Sequence, residues 1–252
     1  MISIELQVIY CRRRIDSSIR GSIKMFSLTK FEKILWIVSV CAIIISFFIF
    51  GGNAPLEMIV SIIGVTSLIF CAKGNFVGHI LGIGFSLIYG YISYTFAYYG
   101  EMITYMCMTM PMAIIALVSW LKNPYNGKVT EVKVNKIGEK DVVFMCIYAT
   151  AVTISFYFIL SAFGTTNIIP STFSVTTSFM AVYLSYRRSP YYAIAYSLND
   201  IVLIILWILA GLEDIRYFNM VICFVIFFVN DIYGFINWKR MEMMQRGDEL
   251  DI

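Results

Sequence analysis

Charge is scarce in this chain. Lys, Arg, Asp and Glu supply 14% of its 252 residues, where a soluble domain carries about 25%. Histidine occurs once, so a His-rich metal centre is excluded. The six cysteines (Cys11, Cys41, Cys71, Cys107, Cys146, Cys223) include no CxxC pair and sit mostly in apolar runs. That pattern reads as small core residues rather than disulfides or metal ligands. No phosphate loop, dinucleotide-binding glycine pattern, HExxH or GxSxG occurs, which leaves no recognisable machinery for ATP drive or hydrolysis. No nucleophile–base or metal constellation suggests an enzyme, and no cofactor or nucleic acid is implied.

What the chain has instead is hydrophobic length. Apolar residues make up 60% of it and its mean hydropathy is +0.79, the composition of a polytopic α-helical membrane protein. Residues 1–33 read as a basic cytoplasmic segment, closed by a Thr29/Glu32 capping-box spacing. A first span at 34–51 follows, with no cleavage site behind it. Further spans fall at roughly 56–72, 75–97, 102–121, 141–163, 168–186, 191–210 and 216–238, eight in all, before a cytoplasmic tail at 240–252. With both termini in the cytoplasm, eighteen of the nineteen Lys and Arg residues lie on the inner side, and Arg216 is the exception. Outer turns carry Glu57, Glu101, Glu213 and Asp214, so the positive-inside rule holds at every loop.

An internal echo suggests repetition. ALVSWLKN (116–123) resembles YGFINWKRM (233–241), pairing Trp120 with Trp238 and Lys122 with Arg240. Three-helix units separated by one helix share an orientation. The expected core is therefore a parallel repeat, 56–121 and 168–239, with 141–163 as a peripheral connector and a solute site between the repeats near mid-membrane.

The chemistry lies in polar stripes on these helices. Tyr192, Tyr196, Asn199, Leu203 and Trp207 share one face of the seventh span, beside Asp200. Aromatic faces around an amide suit a small planar solute, whereas helix–helix hydrogen bonding is the plainer account. Asn230 and Asp231 form a second intramembrane polar pair in the eighth span, and ionisable groups at that depth usually carry function. Asn75, His79, Gly82, Ser86, Tyr89 and Ser93 line one face of the third span, with Ser86 and Tyr89 placed to line a pore. Thr172, Thr176, Phe179 and Tyr183 line the sixth, where threonine often bonds back to its own helix. Pro111 in the fourth span is positioned to kink it.

RRSPYYAIAYSLNDIVLIILW (187–207), NDIYGFINWKR (230–240) and the LIYG…YYGE pattern (87–101) together resemble the PnuC-type nicotinamide riboside transporter family. The likeness covers roughly residues 56–240. It implies a SWEET-like three-plus-one-plus-three core, here with one added N-terminal helix. It also implies facilitated diffusion of a vitamin-like nucleoside in a homotrimer in the cell membrane, feeding NAD biosynthesis through a cytoplasmic kinase that traps the product. Relatives often place tryptophans where Tyr192 and Tyr196 stand. In this reading Tyr192, Tyr196 and Trp207 stack on the solute, and Asn199, Asn230, Thr176 and Ser86 bind ribose or amide groups. Asp200 or Asp231 then offsets a positive ring or holds a gate. Thiamine, riboflavin or deoxyribonucleosides are the alternative cargoes. A proton-coupled symporter, a receptor and an intramembrane enzyme are the alternative mechanisms.

Overall fold

A computed structural model describes residues 27–51, 55–95, 99–165 and 167–250. The basic stretch before residue 27, with Cys11, lies outside them. The chain divides into units at residues 34 and 35. In the first, the Thr29 amide donates to Glu32 Oε2 (2.6 Å) and the Glu32 amide to Thr29 Oγ1 (3.2 Å). This is the capping box that the spacing predicts, satisfying two otherwise orphaned donors.

The helices are α1 (Lys30–Ser46, continued by a π-helical Phe47–Gly51), α2 (Pro55–Ala72), α3 (Val77–Thr95) and α4 (Tyr99–Ile103). A π-helical stretch (Thr104–Thr109) joins α4 to α5 (Met110–Lys122). Then come α6 (Glu139–Ala162), α7 (Ile168–Tyr186), α8 (Tyr191–Glu213) and α9 (Phe218–Leu250). With α4 and α5 forming one span, eight segments among the described residues are long and apolar enough to cross a membrane. Pro111 lies just after the π-helical stretch. Lacking an N–H, it cannot bond the preceding turn, and the backbone widens there rather than simply kinking.

Within residues 35–252, α2 packs on α3, α3 on α5, α5 on α7, α7 on α8, α8 on α9, and α9 back on α2. Six helices thus close a ring. α6 packs along the outside of α7, with most of its side chains exposed. α1 also joins from outside: Trp36 Nε1 donates to Thr66 Oγ1 (3.0 Å). Three of the five described cysteines, Cys41, Cys107 and Cys146, are exposed rather than core. In a lipid-facing helix an apolar run marks the outer surface as readily as the interior.

The turns after α2 and α7 have the same geometry. Gly74 (φ +67°) and Arg188 (φ +56°) are both left-handed, and their amides reach Cys71 O and Ser185 O, each at 2.9 Å. The next amides, of Asn75 and Ser189, reach Phe70 O and Leu184 O, each at 3.0 Å. Two of these carbonyls, Ser185 O and Cys71 O, and the one following each accept from the echo residues. Trp120 Nε1 donates to Ser185 O (2.9 Å) and Ser119 Oγ to Tyr186 O (2.8 Å). Trp238 Nε1 donates to Cys71 O (2.9 Å) and Asn237 Nδ2 to Ala72 O (2.8 Å). Each closing seam of the ring, α5 to α7 and α9 to α2, is pinned in the same way at its basic-loop end.

Beyond that end lies a small hairpin, β1 (Pro124–Tyr125) and β2 (Lys128–Val132), which the sequence reading does not anticipate. It docks on the last turns of α9, which at 33 residues is about 50 Å long and outruns a bilayer core. Tyr125 donates to Asp248 Oδ2 (2.6 Å), and Gln245 joins Glu131, Val132 and Val134. Arg187 meets Asp141 at 2.6 Å, which raises the guanidinium's pKa. Burial, then Arg187 beside it, lowers that of Arg188.

Candidate functional site

Inside the six-helix ring is a cavity with about 880 Å³ of empty volume, open solvent included. α8 supplies one wall, with Tyr192, Tyr196, Asn199, Asp200 and Leu203 all lining it. Tyr192 to Leu203 spans three turns, about 16 Å along the axis. α3 faces it with Gly82, Phe85 and Ser86, and α9 adds Phe227 and Asp231. Among the described residues the lining holds two aspartates and no lysine or arginine.

Each polar group is set by its neighbours. Asn199 is buried, and its Oδ1 accepts from Ser174 Oγ (3.2 Å) and Thr177 Oγ1 (2.9 Å). With the amide oxygen held on α7, the nitrogen end is the one left to donate. Asp200 and Asp231 are both buried on the cavity wall, and Asp200 Oδ2 has no hydrogen-bond partner. Ser86 Oγ donates back to Gly82 O at 2.9 Å while lining the cavity.

Aromatic rings close both ends. Toward the basic loops, Trp238 lies 5.2 Å from Trp120 and 5.0 Å from Tyr192, centroid to centroid. His79 meets Trp120 edge-on at 4.3 Å and pairs with Ser185 Oγ at 3.3 Å, a satisfied buried histidine. At the other end Phe85 stacks on Tyr89 (5.5 Å) and Tyr89 contacts Tyr105 (4.6 Å). Tyr89 OH donates to Glu101 Oε2 at 3.0 Å. Aromatic clusters thus flank the cavity at both ends.

Of the ten residues singled out by sequence, Ser86, Tyr192, Tyr196, Asn199, Asp200 and Asp231 meet at this cavity. The other four are placed elsewhere. Thr176 lies between α7 and α6, its Oγ1 bonded to Thr172 O (2.9 Å) and Thr153 Oγ1 (2.7 Å), so the back-bonding account holds for it. Asn230 faces α1: its Nδ2 donates to Ser39 Oγ (3.1 Å) and Ile226 O (2.8 Å). One residue is 100° of helix, enough to turn Asn230 outward while Asp231 points in. Trp207 and Tyr89 line a separate cavity with Glu57 and Glu101.

Sequence reasoning missed Ser67, Ser178 and Phe224 of the central lining. Single small or apolar residues carry no periodic signal. Glu101 is at the outer end, as its turn position suggests, and the start of α4 folds it against Tyr89, a contact that the sequence does not reveal. The repeated tyrosine-glycine pattern around it was the available hint.

Comparison with known proteins agrees with this architecture. A curated relative, the nicotinamide riboside transporter PnuC of Neisseria mucosa, is 26% identical over 227 residues, covering 87% of this chain and 84% of that protein. The crystal structure of the vitamin B3 transporter PnuC superposes with a TM-score of 0.74 at 21% identity, covering 87% of this chain and 94% of that one. The family model for nicotinamide mononucleotide transporters matches residues 54–240, the whole six-helix ring with α6. The chain belongs to that transporter family.

Proposed function

We propose that this protein carries nicotinamide riboside across the cell membrane by facilitated diffusion. The observation that carries the reading is the charge of the central cavity: Asp200 and Asp231 on the wall and no lysine or arginine. A phosphate-bearing mononucleotide needs a cation to match it, whereas a pyridinium nucleoside is itself the cation. Within the family's range, the geometry thus favours the riboside over the mononucleotide. Tyr192 and Tyr196 offer ring faces, Asn199 donates to the amide or a ribose oxygen, and the hydrogen-bonded Asp200–Asp231 pair, with one negative charge between its two carboxyls, offsets the positive ring. Ser86 is placed for a hydroxyl.

The same turn geometry and the paired Trp120 and Trp238 bonds support a SWEET-like core of α2–α5 and α7–α9, joined by α6, with α1 as the added helix. In this reading residues 1–33 and 240–252, like the basic loops, face the cytoplasm. Rocking of the two units opens one aromatic partition at a time. A cytoplasmic kinase traps the product, and three copies assemble in the membrane, as the resemblance implies.

The test is binding of nicotinamide riboside, its mononucleotide, thiamine, riboflavin and deoxyribonucleosides to purified protein, with Asn199→Ala alongside. Binding of the riboside alone, lost in the variant, is expected. Preference for the mononucleotide would refute the electrostatic reasoning. Saturable equilibration of the riboside in empty liposomes, unchanged when a pH gradient is collapsed, separates uniport from proton coupling and from a receptor.

A further inference from the structure

Tyr89 and Trp207 line a second cavity at the ends of the helices away from the basic loops, with about 410 Å³ of empty volume. Glu57 from the start of α2, Ser93 from α3, Glu101 from α4 and Tyr217 before α9 complete its polar and aromatic lining. Trp207 is 92% buried, yet its Nε1 has no hydrogen-bond partner. A buried indole N–H usually finds an acceptor, so an unpaired donor lies in the wall of a cavity that also holds two carboxylates. Glu101 takes the Tyr89 hydroxyl and Glu57 is bonded to Asn219, and each carboxylate has further acceptor capacity. No lysine or arginine lines the cavity among the described residues. Arg216, at the same end, is clasped by Asp214 at 2.6 Å, and its charge also reaches Glu57, so Glu101 is the carboxylate left for a ligand cation.

This chemistry asks for a ligand with positive charge for Glu101, a flat ring for Trp207 and Tyr217, and a hydroxyl oxygen to accept from the indole. A cationic aromatic nucleoside meets all three. The cavity also leads inward. Glu101 lines an intermediate space with Tyr105 and Thr109, and those two residues line the central cavity.

We infer that the Glu57–Glu101–Trp207 cavity is a second, outer binding site, where a cationic nucleoside is held before it passes Tyr89. The identity of the nucleoside rests on the function proposed above; the site itself rests on its own residues. For inward passage to run downhill, this site must hold its solute less tightly than the central one.

The experiment is tryptophan fluorescence of purified, monodisperse protein titrated with nicotinamide riboside and, separately, with 1-methylnicotinamide, a pyridinium without ribose. A second, low-affinity quenching phase is expected, retained in Asn199→Ala. Trp207→Phe removes the reporter and so identifies the signal. Glu101→Gln keeps the reporter and raises its half-saturation by about fivefold, the effect of losing one partly solvated charge. Glu57→Gln, at a charge that Arg216 already offsets, raises it less. A single phase abolished by Asn199→Ala overturns the outer site and leaves the central one standing. Trp207-dependent, Glu101-sensitive quenching without any Asn199-dependent phase upholds the outer site and removes the central one. Quenching at Trp207 that both glutamine variants leave unchanged also overturns the proposal.

Discussion

Replacing Trp238 by Phe tests whether the paired indole bonds hold the basic-loop end shut. Trp238 is fully buried and donates to Cys71 O, which also receives the Gly74 amide. Losing the indole therefore leaves no orphaned carbonyl, and the cost is the net worth of one hydrogen bond, about 0.5–1.5 kcal/mol. If that bond exists only when the end is closed, the open fraction rises about two- to tenfold. The fold as a whole also loses packing, on the order of 1–2 kcal/mol for the trimmed ring. A lower Tm is thus expected either way and decides nothing. The deciding readout is Cys71, which is buried, lines the central cavity and lies directly beneath this seam. In protein whose other cysteines are serine, the maleimide reaction rate at Cys71 should rise by that factor. Trp120→Phe, which cuts the matching bond to Ser185 O, should do the same from the opposite seam. The double variant should depart from the product of the two effects, because the indoles are in contact at 5.2 Å and neighbouring residues couple. Unchanged Cys71 reactivity alongside a lowered Tm would mean that the indoles are packing and the closure lies elsewhere.

Thr176→Val should leave riboside binding within about twofold, because the hydroxyl is spent on Thr172 and Thr153; a tenfold loss in a binding titration would return it to the site. Gly78→Ala should lower thermal stability by about 1–3 kcal/mol, since an added Cβ meets the Cys71 amide nitrogen at 2.6 Å, and backbone cannot step aside. Arg188→Gly should raise stability by about 0.5–1 kcal/mol in a thermal melt by relieving the left-handed backbone, while Gly74→Ala at the matching turn should lower it. The Tyr125 hydroxyl donates to Asp248, and that carboxylate raises the phenol's pKa. A raised folded pKa stabilises the protonated form, so the hairpin's link to α9 should persist through the ordinary phenol range and fail only above it. The difference between wild-type and Tyr125→Phe absorbance titrations reads this directly.

Much of the molecule is written in the chain because a bilayer constrains sequence tightly. A span must be apolar over about 20 residues, and basic residues must stay on one side. Helix count and the capping box at Thr29 therefore follow from local pattern, as does the polar face of α8. Helical periodicity also brings Tyr192, Tyr196 and Asn199 onto one line. It cannot say where that line stops facing the cavity. Trp207 continues the same stripe yet sits in the outer cavity, because the Phe85–Tyr89–Tyr105 partition from α3 and the α4–α5 span intervenes.

Local pattern is enough to specify a membrane-spanning helical chain with acids in its last two spans. Its apolar runs must satisfy their backbone internally, and its acids are too costly there to be incidental. Which polar groups meet is set by how the helices pack. Asn230 and Asp231 are adjacent in sequence, but the packing of α9 between α1, α2 and α8 sends one outward to Ser39 and the other into the cavity. Glu101 likewise becomes Tyr89's partner only because the start of α4 folds back against α3. Side-chain direction is local, whereas what stands opposite it is set by a helix distant in the chain.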